Sequence, residues 1–141
     1  MKDDRLRVPI DAPYLHALGL SMISFARFEW DAVGCIEKVQ PGYIQTILKK
    51  TAGNIADDLI VLAASHADPV VVTSLGAGAA EFKRLVDVRN GLMHANPGTS
   101  SSGEQRLFRH GHEWTIAMID DAADAFVAAA SVLNHHHHHV L

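Results

Sequence analysis

Apolar side chains recur three or four positions apart along most of this chain, and that spacing predicts helices. Residues 12–38 make the longest run, with a stripe of Leu15, Leu18, Met22, Phe25, Phe28 or Glu29, Ala32, Val33 and Ile36. Asp11 suits its N-cap, Pro13 its first turn, and Pro41-Gly42 its end. A second run over 43–66 carries Ile44, Ile47, Leu48, Ile55, Leu59 and Leu62, with Gly53-Asn54 as a break that divides it in two. A third over 77–95 carries Phe82, Leu85, Val86, Val88 or Arg89, Leu92 and Met93, and Asn96-Pro97-Gly98 stops it. The last covers 119–133, capped near Asp120, with Ala122, Phe126, Ala129, Ala130 and Leu133 turned inward.

Two stretches break the helical rhythm. After a small polar loop over 99–103, Leu107-Phe108-Arg109 and Glu113-Trp114-Thr115-Ile116 read as short strands about a tight His110-Gly111 turn. Val70-Val71-Val72 fits either a strand or a helix start. As a strand leading into Gly76-Ala77-Gly78 it would look like the phosphate-cradling turn of a dinucleotide fold. The sixth position of that pattern is Glu81 rather than a small residue, and no alternating strand and helix units surround it. The glycines therefore read as places for close helix packing or a break. The expected fold is all-α: an antiparallel helical bundle of four or five helices with a small β-hairpin before the last helix.

Composition narrows the setting. A chain of 141 residues suits a single domain, expected over residues 1–134, with the His-rich tail at 135–141 set apart as tag-derived. Only 6% of residues are aromatic against an apolar content of 48%, which favours close-packed, alanine-rich helices. The longest apolar run, 59–64, is too short for a membrane span, and Met1-Lys2-Asp3-Asp4-Arg5 has no apolar signal core behind it. With its lone Cys35, read as a small buried helix residue, the protein is expected to be cytoplasmic. A net charge of −4 excludes a general nucleic-acid-coating surface, so any contact with RNA must be local.

The candidate chemistry lies in Arg89-Asn90-Gly91-Leu92-Met93-His94, at the end of the third helical run. An arginine is always charged and holds phosphate with a fork of donors, and a histidine gives or takes a proton near neutrality. Four residues apart, Asn90 and His94 share a helix face, and Arg89 is rotated one residue away. The plainer reading has His94 bonding terminal carbonyls and Arg89 pairing with Asp87. Glu29, a carboxylate within an apolar stretch of the first helix, is a candidate to hold Arg89 in place. Arg106, Arg109, His110 and His112 extend a phosphate surface if the hairpin folds toward the motif. His110, His112 and Glu113 are metal-ligand types without a third histidine or a cysteine, so a solvent-facing hairpin tip is expected, with no metal and no cofactor. Lys49-Lys50 and Lys83-Arg84 read as solvated helix faces, and Arg27 and Asp57-Asp58 as solvated or paired between helices.

The Arg89-x4-His94 spacing, with a polar Asn90 directly after the arginine, resembles the motif of HEPN domains, found in prokaryotic toxin, antiphage-defence and RNA-processing proteins. The long first helix, the stop after His94 and the closing helix extend the resemblance over most of the chain. It implies a metal-independent endoribonuclease acting as a homodimer, two motifs facing one cleft, often controlled by an antitoxin partner such as a small nucleotidyltransferase-like protein. Arg89, Asn90 and His94 would be the catalytic residues. The same family contains non-catalytic dimeric modules that bind a partner protein or small ligand. The implied chemistry is self-consistent, because the ribose 2′-hydroxyl of RNA supplies the nucleophile.

Overall fold

The computed structural model describes residues 9–141, so the amino-terminal Met1-Lys2-Asp3-Asp4-Arg5 lies outside the described residues. Side-chain caps set the helix starts. Asp11 accepts the Tyr14 amide at 3.0 Å and Pro13 fits the first turn, which opens α1, Ala12–Val39. The run over 43–66 does divide, but at Lys50-Thr51 rather than at Gly53-Asn54. A 3₁₀ helix covers Tyr43–Lys49, its start pinned by Glu37, which accepts the amides of Gly42 and Ile44 at 2.9 Å each. Asn54 then begins the next helix instead of breaking one. Its side chain accepts the Thr51 amide while the Thr51 hydroxyl accepts its own, a reciprocal cap on α2, Ala52–Ala64.

Asp68 accepts the Val70 amide at 2.9 Å and Pro69 takes the first helical position, so α3 runs from Pro69 to Met93. Val70, Val71 and Val72 are its opening turn, which removes the strand and glycine-turn reading. Gly78, inside this helix, serves packing: a Cβ there would come within 3.0 Å of a Leu133 methyl. The final helix α4, Ile116–His135, starts three residues earlier than its pattern suggests, because Thr115 accepts the Met118 amide and Asp120 stays exposed.

Four α-helices, the 3₁₀ helix and a closing π-helical turn over His136–Val140 are thus described, with a sheet between α3 and α4. The bundle is only partly antiparallel. Tyr14 clusters with Ile119, Phe25 meets Phe126 at 5.1 Å and the Cys35 thiol donates to the Leu133 carbonyl, so α1 and α4 ascend together. Leu92 lies with Tyr14 and Phe82 with Phe28, so α3 runs against both. A parallel pair is possible because the chain from Gln40 to Asp68 leaves the end of α1 and returns α3 to that end. Phe25, Phe28, Phe82 and Phe126 form the middle of the core, stacked or edge-on at 4.8–6.4 Å. Burial of each is worth roughly 1.5–3 kcal/mol.

The expected hairpin carries a third strand. β1 (Asn96–Thr99), β2 (Gln105–Arg109) and β3 (His112–Trp114) form an antiparallel sheet in that order. Thr99 pairs with Gln105 and Arg109 with His112. Positive φ at His110 and Gly111 makes the two-residue turn between β2 and β3. Asn96-Pro97-Gly98 stops α3 as expected and then continues as an edge strand, where proline's missing donor costs nothing. Gly98 lets the Phe108 ring lie across it, at 2.8 Å from where a Cβ would stand.

The histidine-rich segment at the carboxyl end lies against the bundle. His136 is buried, one ring nitrogen 2.8 Å from the Val132 carbonyl and the other 3.0 Å from the Ser74 hydroxyl. His137 sits against Gly34, and Leu141 packs on the core. No helix among the described residues is long and apolar enough to cross a membrane.

Candidate functional site

The sheet is built onto the same end of the bundle as the Arg89 to His94 segment. Tyr14 ties it to α1: its buried hydroxyl donates to the Trp114 carbonyl at 2.8 Å and accepts the Leu107 amide at 3.0 Å. The Trp114 indole donates to the Gly91 carbonyl at 3.2 Å, and its ring lies 3.5 Å from where a Gly91 Cβ would be. Arg109 donates to the His94 carbonyl at 3.2 Å. Two side chains of the sheet therefore hold the last turn of α3.

Within that turn, His94 is the C-cap, its amide bonded to the Asn90 carbonyl at 3.0 Å and its side chain exposed. Asn90 is partly exposed one turn earlier. Arg89 points differently. Its guanidinium lies over the Phe25 ring, 4.6 Å from the centroid, and its Nε is buried without a hydrogen-bond partner. No hydrogen bond or ion pair among the described residues joins Arg89 to Asp87, Glu29 or His94. A single chain thus brings Asn90 and His94 onto one helix end and holds Arg89 against α1.

Glu29 is close enough to feel Arg89 but not to pair with it. Burial raises its carboxyl above the usual range, and the Arg89 charge only partly opposes that shift. The expected Glu29 to Arg89 clamp is therefore replaced by an aromatic seat on Phe25.

The other basic candidates separate cleanly. Arg109 reaches the motif, but Arg106 does not extend a phosphate surface. It is buried over the Tyr14 ring and paired with Asp11 and Glu104. Lys83 pairs with Asp57, Lys50 with Asp58 and Arg84 with Glu81, so these cations are already matched. His110 and His112 are exposed, and beside them a shallow hollow of about 480 Å³ is lined by Asn96, Thr99, Phe108 and Arg109. Among the described residues no group of three or more His, Cys, Asp or Glu is placed to hold a metal. A larger hollow, about 740 Å³, lies away from the motif between α1 and α4, walled by Leu20, Ile23, Arg27 and Val127.

The role of Trp114 in seating the helix end was not visible in the pattern of strands. Its neighbour in space, Gly91, was the available signal: a glycine inside a helix where an aromatic ring lies against the backbone. No protein-family model, curated protein or solved structure matches this chain.

Proposed function

We propose that this protein is a metal-independent endoribonuclease of toxin or defence type, working as a homodimer whose composite site draws on Arg89, Asn90 and His94 of both copies. The observation that carries this reading is that two arginines near the end of α3 have no ion pair. Arg89 and Arg109 have no carboxylate within ion-pair distance among the described residues, and the exposed His94 lies at the same helix end. An RNA phosphate would complete what the protein leaves open. His94 would take the 2′-hydroxyl proton or protonate the leaving 5′-oxygen, Arg89 would oppose charge on the phosphorane, and Asn90 would orient the histidine or the phosphate. The resemblance to HEPN domains supports the same assignment, including control by an antitoxin protein.

The second reading, a non-catalytic dimeric module for a protein or small-ligand partner, is favoured by the divergence of Arg89 and His94 within one chain. RNA cleavage in chelator separates the two. The wild-type protein should cut RNA, and His94→Ala should lower the rate by at least ~100-fold. Equal cleavage by wild type, His94→Ala and Arg89→Ala, each shown to be folded by its melting curve, would trace the activity to a contaminant and sink the nuclease reading.

A further inference from the structure

The hollow of about 740 Å³ between the parallel helices α1 and α4 falls within the roughly 300–1,000 Å³ typical of small-ligand sites. Its two ends differ in chemistry. Leu20 and Ile23 of α1 and Val127 of α4 line one end, and Arg27 and Asp31 with Asn134 line the other. The α1 residues recur three or four positions apart, so a single helix face presents them all.

Ser24 lies between the two ends. It is 6% exposed and lines the hollow, yet its hydroxyl has no hydrogen-bond partner among the described residues. Ser21, one turn earlier on α1, donates to the Leu18 carbonyl, and Ser131, on the α4 side of the hollow, donates to the Val127 carbonyl. Those serines are satisfied within their own helices, and Ser24 is not. A buried hydroxyl without a partner is unfavourable, and a polar group seated in the hollow would satisfy it.

Charge at the polar end is also unanswered. Arg27 makes no ion pair among the described residues, and Asp31, one turn on, accepts only the Asn134 amide at 3.2 Å. Arg27 and Asp31 stand four residues apart without pairing with each other. His135 and His139 line the same end, and neither bonds to Asp31.

We propose that this hollow binds an α-amino acid with an apolar side chain. Arg27 and the Ser24 hydroxyl take its carboxylate, Asp31 takes its ammonium, and Leu20, Ile23 and Val127 receive its side chain. A zwitterion answers both charges on successive turns of α1, where a simple anion would answer one and be repelled by the other. The site shares no residue with Arg89, Asn90 and His94 and does not rest on the nuclease reading.

Calorimetric titration of the full chain tests the assignment. Leucine should bind with a dissociation constant below about 1 mM. Isocaproate lacks only the ammonium and isoamylamine only the carboxylate, and each should bind at least ~10-fold more weakly. Arg27→Gln, at an exposed position without an ion pair, should weaken leucine at least ~10-fold with an unchanged melting curve. Ser24→Ala should weaken leucine by ~3-fold or more and leave the melting temperature equal or higher, since the hydroxyl it removes has no partner. A serine with only a structural role would leave leucine affinity where it was. Failure of leucine, methionine and phenylalanine to bind the folded chain at roughly 10 mM overturns the proposal. So does isocaproate binding as tightly as leucine, or leucine binding that both substitutions leave unchanged.

Discussion

Arg106 and Arg89 both lay a guanidinium over an aromatic ring, 4.4 Å from the centre of Tyr14 and 4.6 Å from that of Phe25, yet their remaining donors have opposite fates. Arg106, with its side chain 8% exposed, donates to Asp11 at 2.5 Å, to the Gln105 carbonyl at 2.8 Å and to Glu104. Those bonds tie the start of α1 to β2. Arg89 has no hydrogen-bond partner at its buried Nε and no ion pair among the described residues. One charge is consumed in joining elements, and the other is held in place by packing without an ion pair. The same residue type on the same kind of ring thus serves architecture at one site and leaves room for an anionic ligand at the other.

Replacing each arginine with methionine, which keeps much of the apolar stem on the ring, should split the two roles most widely. Arg89→Met is expected to reduce RNA cleavage by at least ~100-fold while leaving the melting temperature nearly unchanged. Arg106→Met should do the reverse: a fall in melting temperature on the order of 5–10 °C, with cleavage preserved below the transition. If Arg89→Met unfolds the chain as readily as Arg106→Met does, Arg89 is a second structural anchor and the contrast fails.

How far this division was legible in the sequence follows from the range of each interaction. The helix carrying Arg89, Asn90 and His94 was readable because apolar spacing and the Asn96-Pro97 stop are local signals. Arg106 was misplaced on a phosphate surface because its partner Asp11 is 95 residues away, a pairing that no local pattern reports. β1 was hidden for a related reason: Asn96-Pro97-Gly98 says where a helix ends, and only β2 makes it a strand. On α1 the stripe through Leu15 and Met22 was drawn one step too far round. The stretch from Leu18 to Ile23 is apolar on nearly every side, so spacing alone could not choose the face that meets the core. Tyr14, Ala17, Ser21 and Ser24 are buried in their place. The strand and helix alternatives at Val70-Val71-Val72 were decided by Asp68 and Pro69, a cap that was present in the sequence.

Acid should expose the Arg106 site next. The Arg106 guanidinium, which donates to Asp11, and the Tyr14 amide hold this carboxyl below its ordinary 3.8. A depressed folded value means that the contribution is complete above 3.8 and is lost as pH falls through the folded value. Asp11→Asn keeps a side chain able to cap α1 but removes the charge. Wild type should therefore melt higher than Asp11→Asn at neutral pH, by roughly 2–4 °C, and the gap should close below pH 3.8. A gap that stays constant through that range would show that the cap, and not the ion pair, is what Asp11 supplies.

The smallest effect is expected on the other side of the comparison, at Glu29, and its sign is opposite. Burial raises this carboxyl above its ordinary 4.5 even with Arg89 nearby, so the ionised form is the less favourable one in the folded chain. For a raised value the fold is favoured below 4.5 and loses that advantage as pH rises through the folded value. Glu29→Gln should thus raise the neutral-pH melting temperature by roughly 1–2 °C, with the difference vanishing in acid. A destabilisation instead would mean that Glu29 does steady Arg89, and that the arginine of α3 is less independent of its surroundings than its missing bonds indicate.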